Sequence, residues 1–186
     1  MGCISQTTDG GYIVGGRTTG ISATYQVIKL NSSGATQWQN NLTAYQSDIY
    51  LPTSIKQTSD GGYIFSAFSY GSKLLIVKLN SSGISQWAKF LGGDLFETPG
   101  NVTQTSDGGY LVTGTAYSNV GDVSGNHEEG TGDYWLLKLN SFGTLQWQKP
   151  LGGLGTDDAH WGEATSDGGY IIAGKGISNT GDITGN

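Results

Sequence analysis

One six-residue pattern recurs four times along the chain and constrains its fold more than any other feature. "TTDGGY" begins at Thr7, and "TSDGGY" begins at Thr58, Thr105 and Thr165. The spacing between these segments is about fifty residues, a period typical of solenoids, arrays and propellers. The chain is therefore built of structural repeats.

A second segment recurs with the same period. "QVIKLNSSGATQW" covers Gln26–Trp38, "LIVKLNSSGISQW" covers Leu75–Trp87 and "WLLKLNSFGTLQW" covers Trp135–Trp147. The Lys and the Trp are equally spaced in all three copies, so the length variation falls before the Lys. A variable connecting loop is predicted there.

Each repeat predicts four short strands joined by two tight turns. The first strand ends at Asp-Gly-Gly, because Gly adopts a positive φ without steric cost and Asp can hydrogen-bond the turn backbone. The second strand begins at the recurring Tyr. The third ends at Asn-Ser-Ser-Gly or Asn-Ser-Phe-Gly, where a type I turn closed by a left-handed Gly returns the chain into the Trp-containing fourth strand. The unit is a four-stranded antiparallel meander.

The predicted second and third strands are apolar on both faces. "YIVG" and "VIKL" do not alternate strictly, and sheets buried on both sides, such as stacked propeller blades, have this pattern. No ten-residue stretch free of Gly shows the apolar spacing of a helix. We therefore predict an all-β fold, a β-propeller built of four-stranded antiparallel blades.

The repeats divide the chain at approximately residues 1–43, 44–93, 94–153 and 154–186, all in one propeller segment. The last repeat is incomplete, because Ser178 to Asn186 matches Ser118 to Asn126, just before a third strand is expected. About three and a half blades are predicted. Leaving a terminal face of ~500 Å² exposed forfeits roughly 12 kcal/mol at ~25 cal/mol per Å², so we expect a longer propeller.

The charge balance limits the possible partners. The net charge is −6 and the sequence pI is about 4.6, with 9 Lys plus Arg and no basic run, which argues against nucleic acid and anionic membrane surfaces. No window approaches the ~20 apolar residues of a spanning helix. The single cysteine, Cys3, cannot form an intrachain disulfide, and we expect a strand or core residue there.

These motifs resemble a family of secreted bacterial and archaeal β-propeller proteins with "TSDGGYIVAG…DYWLVKL…QW" repeats, frequent in Bacteroidetes that use the type IX secretion route. The resemblance covers essentially the whole chain and is fullest over Thr105 to Gly153. The "LNSSG…QW" hairpin is also similar to the blade motif of quinoprotein (PQQ-like) propellers. That similarity implies that Trp38, Trp87 and Trp147 pack between blades. The vicinal cysteines of many quinoprotein active sites have no counterpart here.

One loop carries closely spaced oxygen ligands. "SNVGDVSGNHEEGTGD" contains Asp122, Asn126 and Asp133, and such residues with intervening glycines can bind calcium. The loop lacks the ligand order of an EF-hand, and Asp, Asn and Gly are also ordinary turn residues. We therefore expect either no cofactor or calcium at these three positions.

Several aromatic residues fall in the variable segments. Tyr45, Tyr50, Tyr117 and Trp161 are candidates for ligand binding, because exposed rings stack on sugars or grip a protein. Loops of different length on a rigid ring are where binding sites usually lie. Single exposed tyrosines are also common, so convergence of these rings is the structural criterion.

The segment before the fourth "TSDGGY" contains the main acid-base candidates. "GTDDAHWGE" holds Asp157, Asp158, His160 and Glu163, and a His beside carboxylates can act as a general base or metal ligand. A solvated inter-blade loop has the same composition, and we adopt that interpretation. Because the chain also lacks a Gly-x-Ser-x-Gly elbow and a phosphate loop, no catalytic set is predicted.

The sequence favours a non-catalytic extracellular binding or structural module, acting in adhesion or as a surface or appendage component. Its expected partners are a protein or glycan at the cell surface, or further blades or subunits of the same assembly. The alternative is part of a secreted propeller enzyme, polysaccharide-active or quinoprotein-like, with active residues outside this chain. A convergent central pocket with paired carboxylates and His160 would favour the enzyme. A third hypothesis is a fibre that assembles through exposed terminal blades.

Overall fold

The structure is a computed structural model and describes residues 2–19, 23–42, 52–69, 71 and 73–183. Among these residues no helix is long and apolar enough to cross a membrane. The strands of the first blade are β1 (Cys3–Gln6), β2 (Tyr12–Arg17), β3 (Tyr25–Leu30) and β4 (Thr36–Leu42). Those of the second are β5 (Pro52–Gln57), β6 (Tyr63–Ser69), β7 (Lys73–Leu79) and β8 (Ser85–Leu91). The third contains β9 (Glu97–Gln104), β10 (Tyr110–Ala116), β11 (Asp133–Leu139) and β12 (Leu145–Leu151), and the fourth contains β13 (Asp158–Ala164) and β14 (Tyr170–Lys175).

Each of the first three blades is an antiparallel meander. The strands pair in chain order within every sheet, and β13 pairs with β14 in the same way. The prediction of an all-β propeller fold with three and a half four-stranded blades is confirmed.

The recurring Asp-Gly-Gly forms the turn between the first and second strands. In the second blade the Gly61 N–H donates to the Thr58 carbonyl at 2.9 Å, and Gly61 has a φ of 76°, which Gly adopts at little cost. The Asp60 carboxylate accepts hydrogen bonds from the Thr58 hydroxyl at 2.5 Å and from the Gly62 N–H at 3.0 Å. The first and third blades repeat these bonds, so the hexapeptide is a structural turn.

A buried lysine of the third strand holds this turn in place. Lys78 is 3% exposed, and its ammonium donates to Asp60 at 2.8 Å, to the Leu79 carbonyl at 2.9 Å and to the Gln86 side chain at 3.2 Å. We call the Lys78–Asp60 contact a turn pair. The equivalent turn pairs are Lys29–Asp9 and Lys138–Asp107.

Apolar side chains of the inner strands pack against both neighbouring blades. In β6, Tyr63 and Phe65 belong to the core cluster shared with the first blade, whereas Ile64 belongs to the cluster shared with the third. The two faces of this sheet are therefore both buried, as the sequence pattern predicted.

An aromatic contact links each blade to the next. The Trp of the fourth strand meets the Tyr of the following "DGGY" edge to face, with centroid distances of 5.7, 5.7 and 5.5 Å for Trp38–Tyr63, Trp87–Tyr110 and Trp147–Tyr170. The packing role predicted for the three tryptophans is confirmed.

A glutamine reinforces the first two junctions. The Gln57 side-chain oxygen accepts the Thr8 N–H at 2.8 Å, and the Gln104 oxygen accepts the Ser59 N–H at 2.7 Å. The fourth blade has Ala164 at this position, immediately before its recurring Thr. The junction of the third and fourth blades therefore lacks this bond.

Candidate functional site on the propeller axis

The first strands of the four blades lie side by side. Consecutive first strands, β1 with β5, β5 with β9 and β9 with β13, are in contact, as expected for the strands that surround a propeller axis. They border a partly open cavity of about 120 Å³. Its polar and aromatic lining comes from Cys3, Thr53, Ser54, Lys56, Asn101, His160 and Trp161. We call this cavity the axial pocket.

A β-bulge occurs at the same place in three of these strands. The pairing register shifts at Thr53 in β5, at Gly100–Asn101 in β9 and at His160 in β13. Bulges re-aim side chains and are common next to active sites. In β13 the unpaired residue is His160 itself, an exposed residue that belongs to the pocket lining.

Trp161 and Lys56 meet across the pocket. The Lys56 ammonium lies 5.3 Å from the centroid of the Trp161 ring, a distance at which a cation is attracted to the ring face. Trp161 keeps 42% of its surface exposed. The exposed part of Trp161 is thus available to a ligand, and Lys56 lines the same pocket.

Asn101 fixes the strand that carries His160 and Trp161. This side chain is 3% exposed, accepts the Gly162 N–H at 2.6 Å and donates to the Gly162 carbonyl at 2.8 Å. The Thr113 hydroxyl donates to its amide oxygen at 2.7 Å. Because both amide atoms are engaged, Asn101 is a positioning residue for the pocket.

Cys3 also borders the pocket. Burial raises the pKa of its thiol to about 11, so the thiol is protonated at neutral pH and is a weak nucleophile. The expectation of a structural strand cysteine agrees with this environment.

All three calcium candidates take part in contacts within the protein. An Asp122 oxygen accepts the Gly92 N–H at 3.0 Å, and the Asn126 amide donates to the Ala116 carbonyl at 3.0 Å. Asp133 lies 2.7 Å from the His127 ring nitrogen. Within the described residues no group of three or more His, Cys, Asp or Glu side chains can hold a metal ion.

The two aromatic candidates within the described residues, Tyr117 and Trp161, lie in different pockets. Tyr45 and Tyr50 lie outside the described residues. Tyr117 borders an apolar groove beside Leu95 and Phe96 and donates its hydroxyl to Asp158 at 3.1 Å. Trp161 lies in the axial pocket, on a strand where the sequence suggested a loop.

The acid-base segment is more ordered than expected. Asp157 is fully buried, and one of its oxygens accepts the N–H groups of Ile177 at 2.9 Å and Ser178 at 3.1 Å. A solvated loop is therefore the wrong description. The structure separates this carboxylate from His160, because Asp157 caps backbone groups while His160 faces the axial pocket.

Sequence reasoning missed Lys56 and the position of His160. Counting back from the recurring Thr would have placed His160 in register with Thr53 and Gly100, because each lies five residues before it. The paired carboxylates expected of an enzymatic pocket are absent from the described lining, which contains neither Asp nor Glu.

No family model and no curated protein matches this chain. Solved structures do. A chimera of apocarotenoid oxygenase (ACO) and RPE65 matches with a TM-score of 0.56 and 11% identity, covering 93% of this chain and 42% of the other. Cobalt-substituted ACO from Synechocystis matches with a TM-score of 0.55 and 13% identity, covering 97% and 44%. The shared fold is the β-propeller, seven-bladed in these neighbours, and the chain spans less than half of their length.

The comparison corrects two expectations. The neighbours are oxygenases, which contradicts the interpretation as a non-catalytic module and favours the alternative, an enzyme. One of them is cobalt-substituted, which contradicts the expectation of no cofactor or calcium alone. At 11 to 14% identity the likeness concerns the fold, so the reaction has to be argued from the axial pocket.

Proposed function

We propose that this chain is part of a larger β-propeller enzyme that acts on a polysaccharide at the propeller axis. The observation that carries the proposal is the β13 bulge, which presents His160 to a pocket shared with Lys56 and Trp161. The remaining reactive groups belong to residues outside this chain. The neighbours' enzymatic nature supports the same conclusion.

His160 is the residue that we assign to proton transfer. Imidazole exchanges protons near neutral pH and is the commonest general acid or base. The Asn101 bonds to Gly162 hold the backbone of β13 in position, so the strand that carries His160 is fixed beside the pocket. Trp161 supplies an exposed ring on which a sugar can stack.

Two other kinds of enzyme site, a quinoprotein site and a metal centre, fit the described residues less well. A quinoprotein site with vicinal cysteines has no counterpart, since Cys3 is the single cysteine. A metal centre requires several ligands, and the axial pocket offers one imidazole and no carboxylate. The residues present do not fit a metal, and we derive no step through one.

We also propose an extracellular location, supported by the resemblance to secreted repeat proteins. The partners that follow are a glycan substrate and the further blades of the same propeller. A net charge of −6 argues against nucleic acid as a substrate.

Mutation of the chain's two histidines tests the proposal. In the full-length protein we expect His160→Gln to lower kcat about 100-fold or more, the usual contribution of a positioned acid or base. His127→Gln is the matched control, because His127 lies outside the axial pocket and contacts Asp133. Release of reducing ends from a polysaccharide panel is the assay, with an apocarotenoid as a further substrate.

Two outcomes contradict the proposal. Equal activity of His160→Gln and the unmodified protein would remove the role of His160. Turnover of the apocarotenoid alone would replace the polysaccharide by the substrate class of the structural neighbours. Thermal unfolding of both variants shows whether a loss of activity reflects a loss of fold.

A further inference from the structure

We infer that the axial pocket binds an anionic sugar, with Lys56 as the residue that recognises its carboxylate or sulfate group. The inference rests on the proposed function, because it names the substrate class of the same site. It follows from the charge, the contacts and the size of the pocket.

Lys56 differs from the three buried lysines of the turn pairs. Lys29, Lys78 and Lys138 each pair with an aspartate at 2.8 Å. Lys56 is half-buried, and no ion pair joins it to a carboxylate among the described residues. Its charge meets the Trp161 ring but no counter-ion among the described residues, and an anionic ligand supplies one.

The lining of the axial pocket is positively charged, whereas the protein as a whole is acidic. The chain has a net charge of −6, yet the described pocket lining holds one lysine and no Asp or Glu. A cleft with one sign of charge and low-dielectric walls attracts the opposite charge. An anion is therefore favoured over a neutral or cationic ligand.

The negative charge of Glu163 acts against the binding of an anion in the axial pocket. It lies on β13 two residues after Trp161, and it occupies the position in the fourth blade that Lys56 occupies in the second. Its side chain is outside the pocket lining and makes no ion pair with Lys56 in the described structure. Removing its charge should strengthen the binding of an anion.

The size of the pocket indicates what part of the ligand enters. A cavity of about 120 Å³ is smaller than typical small-molecule sites of about 300–1,000 Å³. It accommodates one charged group beside the exposed Trp161 ring, while the rest of a chain-like substrate lies along the axis. An acidic polysaccharide meets these conditions.

Calorimetric titration of the full-length protein tests the inference with three probes: an oligogalacturonate, its methyl ester and a sulfated oligosaccharide. We expect the methyl ester to bind at least 10-fold more weakly than the acid. Lys56→Met should weaken binding of the acid at least 10-fold and leave the ester unchanged. Glu163→Gln should tighten binding of the acid about 2- to 3-fold, because a nearby surface charge contributes modestly. Lys149→Met, an exposed lysine on β12, is the matched control and should have no effect.

The outcomes separate the two proposals. Equal binding of acid and ester, or an unchanged affinity in Lys56→Met with an unchanged melting temperature, overturns the inference. Binding of the acid without any turnover leaves the inference intact and contradicts the proposed enzyme. The stronger of the two anionic probes identifies a carboxylate or a sulfate as the recognised group.

Discussion

The turn pair of the second blade gives the most direct test of what holds the propeller together. Burial raises the pKa of Asp60, but hydrogen bonds from Lys78, Thr58 and Gly62 outweigh it and lower that pKa from 3.8 to about 2. At about 1.4 kcal/mol per pKa unit this shift corresponds to about 2 kcal/mol. Because 54% of the Asp60 side chain is exposed, solvent screening reduces the contribution to about 1 kcal/mol.

A double-mutant cycle measures the contribution of the Lys78–Asp60 turn pair to the free energy of unfolding. Lys78→Met removes a buried ammonium with three partners, and we expect it to lower the free energy of unfolding by about 2 kcal/mol, the usual net value of one charge-assisted hydrogen bond. Asp60→Asn should cost less, because that side chain reaches water. Combining the two substitutions should give a coupling energy of about 1 kcal/mol. Urea unfolding followed by tryptophan fluorescence provides all four free energies.

The same pair predicts an acid-dependent loss of stability. The folded-state pKa of Asp60 is below its ordinary value, so its stabilising effect is fully present above about pH 4 and is lost as the pH falls through about 2. The pKa values of Asp9 and Asp107 are lowered in the same direction, first by their hydrogen bonds to Lys29 and Lys138. Unfolding in urea between pH 2 and 5 should show this slope, which should be shallower in Lys78→Met.

The fourth turn provides an internal control. Asp167 accepts hydrogen bonds from Thr165 and Gly169, as the other turns do, but has no lysine partner among the described residues. Asp167→Asn should therefore cost less stability than Asp60→Asn. A coupling energy of zero in the cycle, or equal losses in these two variants, would refute the assignment of stability to the turn pair.

Two further substitutions follow from the junctions between blades. Gly83→Ala should lower the free energy of unfolding in urea by about 3 kcal/mol, because a Cβ there would lie 2.5 Å from the Trp38 ring at a φ of 74°. Gly34→Ala, with a φ of 83° and open space, should cost about 1 kcal/mol; equal losses would contradict the clash. Ala164→Gln should raise the free energy of unfolding by about 0.5–1 kcal/mol, because the new side-chain oxygen can accept the Ser106 N–H. Thermal unfolding measures this, and an unchanged melting temperature would contradict that bond.

The repeated parts of the fold are predictable from the sequence because they depend on neighbours in the chain. Asp-Gly-Gly and Asn-Ser-Ser-Gly form turns through contacts within five residues, such as the Asn80 oxygen that accepts the Ser82 and Ile84 N–H groups. Apolar residues on both faces of β6 predicted a sheet packed between two others. The meander and the blade count followed from these local signals.

The axial pocket depends on relations that the sequence pattern does not display. A bulge such as the one at His160 adds one residue to a strand without changing its composition, so the direction of the side chain is visible only in the pairing register. The contact of Lys56 with Trp161 joins the second blade to the fourth, and repeat periodicity says nothing about that distance. Lys78 was likewise not assigned to Asp60, because the turn already accounted for the aspartate.

A comparison of equivalent positions in the blades shows which residues have a shared structural role and which differ from blade to blade near the axis. The turn pairs and the Trp–Tyr contacts are chemically identical in every complete blade, as a shared structural role requires. Two residues before the recurring Thr, however, the second blade has Lys56, the third has Thr103 and the fourth has Glu163. These opposite charges take no part in the turn pairs, and under the proposed function they would orient an anionic chain along the axis. If the axial pocket has only a structural role, neither Lys56→Met nor Glu163→Gln should change the affinity for an anionic oligosaccharide. If the pocket binds that ligand, Lys56→Met should lower the affinity and Glu163→Gln should raise it.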